Sequence, residues 1–197
     1  MSKTYKMTIA GCERELPLCE VNENLDIAAF IMFGDVEITE KASAELLKLV
    51  PEHDIVITAE AKGIPLCYEM ARQGCGEYIV ARKGVKVYMP DPIVVHVRSI
   101  TTLSQQTLYI GSDDAARMKG KRILIVDDVI STGESLRALE ALVEKAGGVI
   151  VGKAAVLAEG PAGERDDIIV LDNLPLFPKG TPDFPLPPVP PAQSQNE

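Results

Sequence analysis

The residues best placed to do chemistry are Asp127-Asp128-Val129-Ile130-Ser131-Thr132-Gly133-Glu134-Ser135, which follow the apolar run Ile123-Leu124-Ile125-Val126. Two adjacent carboxylates at the end of a buried strand repel each other in a low dielectric unless a ligand, cation or hydroxyl group satisfies them. The hydroxyls of Ser131, Thr132 and Ser135 stand where a helix should begin, and Gly133 permits close approach. Free N–H groups at such a helix start favour an anion. An acid pair beside an anion cradle suits a phosphorylated sugar, whose vicinal hydroxyls donate to Asp127 and Asp128 while its phosphate rests on the loop.

That placement depends on the surrounding elements. Ala42, Leu46, Leu47, Leu49 and Val50 have helical spacing, and Pro51 stops the helix. Asp54 to Ala59 is a short continuous apolar run, expected as a strand buried on both faces. A helix then opens near Pro65, presents Ile64, Cys67, Tyr68 and Ala71 on one face, and ends at Gly74. Strands are expected at Tyr78–Ala81, Ile93–Val97, Thr107–Ile110, Arg122–Asp127, Val149–Leu157 and Ile168–Leu171. The stripe Leu136, Leu139, Leu142, Val143 and Ala146 predicts a helix after the acid pair, ended by Gly147-Gly148. This alternation predicts an α/β fold, a parallel twisted sheet flanked by helices, in which ligands bind beyond the carboxyl ends of the strands.

The stretch from Ile123 to Ser135 resembles the phosphoribosyl-pyrophosphate (PRPP) binding signature of type I phosphoribosyltransferases: four apolar residues, two acids and a Thr-Gly loop. The resemblance implies that Asp127 and Asp128 hold the ribose hydroxyls and that Ser131 to Ser135 hold the 5′-phosphate, with Glu134 where a small residue is common. Glu60-Ala61-Lys62-Gly63 is similar to the pyrophosphate loop of adenine phosphoribosyltransferases, which places Lys62 at the pyrophosphate. Val80-Ala81-Arg82-Lys83-Gly84 resembles the family's Val-Arg-Lys stretch, which implies that Arg82 and Lys83 join Lys62 there and that the segment helps form a homodimer. The polar residues Ser99, Thr101, Thr102, Ser104, Gln105 and Gln106 look like the family's catalytic loop. Phe33-Gly34-Asp35 resembles the Phe-Arg-Asp of adenine-specific enzymes, which implies Phe33 and Val129 at the base, although Gly34 replaces the Arg. The family's acidic Leu-Glu-Tyr-Gly segment is replaced by Leu108-Tyr109-Ile110-Gly111, so no general acid is assigned.

The resemblance covers roughly residues 25 to 160. It implies one phosphoribosyltransferase domain over residues 1–177, with 1–38 contributing to a small base-binding hood, and a tail over 178–197. Seven of the 14 prolines fall in that tail, which favours extended geometry over helix or central strand. The expected activity is transfer from PRPP to a purine, adenine first, with Mg²⁺ carried by PRPP rather than bound directly by protein side chains. Xanthine, hypoxanthine or guanine as the base, or a PRPP-sensing regulator without catalysis, are the alternatives.

Composition narrows the field further. With 20 Lys plus Arg against 29 Asp plus Glu, the net charge is −9, unsuited to coating nucleic acid or an anionic membrane. No apolar run approaches the ~18 residues of a membrane span. The N-terminal residues lack a secretory pattern, and Cys12, Cys19, Cys67 and Cys75 are not spaced as zinc ligands, so reduced thiols in the cytoplasm are expected.

Overall fold

The computed structural model describes residues 3–98 and 105–180. The loop residues Ser99, Thr101, Thr102 and Ser104, and the tail from Thr181 onward, lie outside the described residues.

The chain begins with three antiparallel strands, β1 (Thr4–Ile9), β2 (Cys12–Asn22) and β3 (Leu25–Ala28). It continues through α1 (Val36–Leu49), β4 (Ile55–Ala59), α2 (Ile64–Gln73) and β5 (Tyr78–Ala81). A ribbon, β6 (Ile93–Arg98) and β7 (Gln105–Ile110), precedes α3 (Ser112–Met118), β8 (Arg122–Ile130) and α4 (Glu134–Lys145). The last elements are β9 (Val149–Glu159), β10 (Ile169–Leu174) and β11 (Leu176–Pro178).

Five strands form a parallel sheet in the order β10-β9-β8-β4-β5, so the strand carrying the acid pair is central. Alternate residues feed two cores. Val56, Leu124, Val126 and Val156 face α1 and α2, while Ile57, Ile123, Ile125 and Ala155 face α3 and α4. Burial on both faces explains why these strands are almost continuously apolar. The α4 stripe is buried as expected at Leu136, Leu139, Leu142 and Val143, and each such side chain contributes about 1.5–3 kcal/mol by leaving water.

Two segments depart from the sequence expectation. The strands near 93–97 and 107–110 do not join the parallel sheet; they pair with each other antiparallel. A parallel pairing needs a crossover of about a dozen residues or more, and only residues 99–104 separate them. Ile93, Val95 and Val97 face the α4 side of the core, the alternation of a ribbon with one wet face. The first helix also begins earlier than the apolar spacing indicates, because Asp35 caps it.

The N-terminal strands and β11 form a separate four-stranded antiparallel sheet, the hood, in the order β1-β2-β3-β11. Its Ile9, Leu16 and Phe177, with Phe30 just after β3, are continuous with the core above α1 and α2. One carboxylate adds a polar fastening. Asp35 accepts from the backbone N–H of Ile38 at 3.2 Å and takes two hydrogen bonds from Arg14 of β2 at 2.6 and 2.9 Å. Replacing Asp35 by Ala removes a helix cap and a hood-to-core ion pair together, and should cost about 1–3 kcal/mol in urea unfolding. A loss below about 0.5 kcal/mol would show that apolar packing alone seats the hood.

Candidate active site

The acid pair lies near the carboxyl end of β8, flanked by β9 and β4. Asp128 is almost fully buried, 2% exposed, and Lys62 Nζ donates to its Oδ2 at 2.7 Å. Asp127 keeps a solvent-facing edge but is enclosed on the protein side, and its Oδ1 accepts from the backbone N–H of Asp128 at 2.9 Å. Burial, reinforced by the neighbouring Asp128 charge, holds the Asp127 carboxyl well above the usual carboxylate range. Lys62 opposes that shift from across the site.

The loop after β8 bends into α4 at Gly133, whose φ of +74° is left-handed backbone that suits glycine. No side chain caps α4, so its first N–H groups face the space above Ser131–Ser135. Two guanidiniums crowd the same point. A Cβ added at Gly133 would lie 2.7 Å from Arg165 Nη1 and 3.5 Å from Arg137 Nη1. Arg137 also donates to the Thr132 carbonyl at 3.3 Å, while Arg165 spends its Nε and Nη2 on Asp167 at 2.8 Å each. The result is a loop with hydroxyls, free N–H groups and nearby positive charge, fitted to a phosphate.

The loop after β4 approaches the acids because residue 63 is glycine. A Cβ there would collide with Thr58 Oγ1 and lie 3.0 Å from Asp127 Oδ1. Glu60 joins this loop to the next one: its carboxylate accepts from the Lys83 backbone N–H at 3.0 Å and pairs with Arg82 Nη2 at 3.2 Å. Thus Lys62 stands at the acid pair itself, whereas the Arg82 guanidinium is engaged by Glu60, and Ala61 and Gly63 serve the backbone path between them. From the ribbon, Gln106 donates through Nε2 to Ser135 Oγ at 3.1 Å, bringing the end of the polar stretch onto the loop after β8.

Phe33 is 52% exposed at the entry to α1 and lines neither cavity that touches the Ser131–Thr132 loop. Val129 does line the cleft between Asp127 and Leu136. A larger cavity of about 570 Å³ opens between the loop and the hood, lined by Val21, Leu25, Ile27 and Leu176 together with Glu159 and Arg165. Those residues were not singled out from the sequence, although Glu159 ends a buried strand beside the acid pair, where strand-end logic points. Burial pushes the Glu159 carboxyl up, against a downward pull from Lys62.

The phosphoribosyl transferase domain family matches residues 34–186. The chain belongs to this family. It is 37% identical over 107 residues to a hypoxanthine/guanine phosphoribosyltransferase of Methanocella paludicola, matching 54% of this chain and 52% of that one. It is 30% identical over 139 residues to an adenine phosphoribosyltransferase of Rhodococcus jostii, matching 68% of this chain and 74% of that one. The match to the hypoxanthine/guanine relative thus spans about half of that protein's length. Among solved structures, the adenine phosphoribosyltransferase of Thermoanaerobacter pseudethanolicus superposes with a TM-score of 0.61 at 22% identity, covering 72% of this chain and 84% of that one. The enzyme of Saccharomyces cerevisiae gives 0.59 at 18% identity, with 86% and 93% covered. The parallel sheet flanked by helices is therefore the family fold.

The raised Asp127 carboxyl has a measurable consequence. A carboxyl that binds its proton more tightly when folded destabilises the native state as pH rises above the unfolded value near 4. In the ligand-free protein, Asp127→Asn should raise unfolding stability by roughly 1–2 kcal/mol at about pH 8, a gap that closes towards pH 4. Urea unfolding across that range reads it directly, and a pH-independent difference would contradict the electrostatic cause.

Proposed function

We propose that the chain is a purine phosphoribosyltransferase that joins a purine to PRPP and releases pyrophosphate. The observation that carries this reading is the buried acid pair, set beside an uncapped helix start on one side and Lys62 on the other. In this reading, Asp127 and Asp128 accept hydrogen bonds from the ribose 2′ and 3′ hydroxyls. Residues 131–135 hold the 5′-phosphate, with Glu134 at the first turn of α4.

The two anchors leave C1′ facing the large cavity, so the purine approaches from the side opposite the pyrophosphate and the anomeric carbon inverts. The C1′–oxygen bond breaks as the bond from the base nitrogen forms, the electron pair leaves on pyrophosphate, and the imidazole N–H proton that the base loses passes to solvent. Lys62 has a double use. It neutralises Asp128 before substrate arrives; once a ribose hydroxyl donates to Asp128, the ammonium is released towards the departing pyrophosphate, where negative charge develops. Lys83 and Arg82 extend the positive edge on β5, positioned through Glu60.

Mg²⁺ fits as a companion of the substrate. In this reading the oxygens of PRPP would hold the ion, with Asp127 and Asp128 the adjoining carboxylates. That is the usual habit of Mg²⁺. When bound, it neutralises charge on the pyrophosphate.

The exposed Val85, Val87 and Tyr88, just beyond Lys83, support a homodimer that covers this edge. Sedimentation equilibrium should then give twice the 21.3 kDa chain mass; a monomer at all concentrations would end that part of the proposal.

The decisive experiment incubates the protein with PRPP, Mg²⁺ and single bases, and follows pyrophosphate and nucleotide. Turnover with at least one purine is expected, lost by at least about 10³-fold in Asp127→Asn/Asp128→Asn while the fold is retained. Saturable PRPP binding without turnover of any base would instead identify a PRPP sensor.

A further inference from the structure

The cavity beneath the hood is apolar on its hood side, where Val21, Leu25, Ile27 and Leu176 form the wall, and it opens onto Ser131 and Thr132 of the phosphate loop. Such a space suits a flat aromatic ring held next to a ribose phosphate. Its polar equipment is unevenly committed. Arg165 is spent on Asp167 and turned towards Gly133. Glu159, by contrast, is half-buried, and among the described residues no hydrogen bond or ion pair reaches its carboxylate. Other acids near the loop are engaged: Asp167 by Arg165 and Lys153, Glu140 by Lys153, Glu60 by Arg82. A carboxylate lowered into an apolar wall with no hydrogen-bond partner, and only the charge of Lys62 acting on it from a distance, is costly, and a ligand carrying N–H donors lessens that cost.

Sheet register says where Glu159 stands. Asp127 pairs with Ala155 on β9 and Ile130 with Ala158, so Glu159 follows level with Ser131, at the mouth of the loop after β8. From the core side it lines the same cavity as Val21, Leu25, Ile27 and Leu176. A base held in that cavity next to the ribose phosphate would present its donor-bearing edge to the Glu159 carboxylate.

An ionised carboxylate only accepts, through two parallel oxygens. Guanine offers it two adjacent donors, N1–H and the 2-amino group. Hypoxanthine offers N1–H alone. Adenine offers its 6-amino group beside the bare lone pair of N1, which one carboxylate oxygen would face in repulsion. We infer that Glu159 is a specificity-determining residue that accepts from N1–H and the 2-amino group of guanine, so that the chain selects guanine over adenine. The inference rests on the proposed transferase activity and narrows it, replacing the adenine preference expected from Phe33-Gly34-Asp35.

The test compares kcat/KM for guanine, hypoxanthine and adenine at saturating PRPP and Mg²⁺ in the full chain. The wild-type protein should favour guanine over adenine by at least about 30-fold. In Glu159→Gln the side-chain amide presents one acceptor and one donor, which complements the 6-amino group and N1 of adenine. The guanine-to-adenine ratio should fall by at least about 30-fold, while affinity for PRPP stays within about threefold. Glu159→Ala, which removes both kinds of partner, should lower guanine use without gaining adenine use. Calorimetric binding of GMP and AMP to the same variants should show the same reversal, independent of turnover. An unchanged ratio in Glu159→Gln, with turnover intact, overturns the role of Glu159 and leaves the transferase reading standing. Absence of turnover with every purine in the wild-type protein overturns both.

Discussion

Two carboxylates on consecutive residues of a central strand impose the constraint around which the rest of the site is arranged. Asp127 and Asp128 are brought into the interior by a strand whose preceding residues, Ile123 to Val126, are buried on both faces, and neither acid can escape to the surface without breaking the sheet. Like charges held this way destabilise the empty protein. The Lys62–Asp128 pair relieves part of the repulsion, and raised proton affinity at Asp127 relieves another part. A ligand that supplies donors to both acids therefore gains from strain already present in the unliganded state. In the proposed function, affinity for the ribose diol would arise from this deficiency of the empty site.

That arrangement explains features elsewhere that look unrelated. Gly63 lacks a side chain because the loop carrying Lys62 must pass against Thr58 and Asp127. Gly133 adopts left-handed backbone because β8 must turn into α4 within three residues, leaving the helix start uncapped. Glu60 ties the loops after β4 and β5 into one unit, so the cations on these neighbouring strands keep a fixed relation to Lys62. The net charge of −9 is compatible with a polyanionic ligand because these cations act within a Debye length of about 8–10 Å, where distant surface carboxylates are screened.

How much of this was legible in the sequence follows from the range of the interactions involved. The chain from Ile123 to Ser135 was readable because a doubly buried strand leaves a continuous apolar run and the following turn needs glycine. Its loop and helix are local. The ribbon of β6 and β7 was legible as strands but not as a pair, since apolar runs do not state their partners; the short connection between them was the clue. The hood was harder. Its strands are short or half-exposed, and β11 joins β3 from the far end of the chain, so only long-range packing defines that sheet. Phe33 carried a motif resemblance and stands exposed at the entry to α1, not among the residues that line the cavity, while Glu159, with no motif around it, lines the cavity from the end of its strand.

The division between core and hood also separates two kinds of recognition. In the proposed function the residues assigned to the sugar phosphate sit on the parallel sheet and its loops, where burial on both faces makes displacement of a side chain expensive. The cavity wall proposed for the base is mostly apolar and belongs to the hood, which is fastened by packing above α1 and by the Arg14–Asp35 pair. A hood of this kind can change its wall without disturbing the acid pair, whose hydrogen bonds, from Lys62 and from the Asp128 backbone, lie within the core. Glu159 is the exception, since it ends a strand of the core and projects into the space the hood encloses. A charged group fixed to the rigid part of the molecule is better suited to read hydrogen-bond donors than one on the adaptable wall, whose apolar contacts tolerate many ring systems.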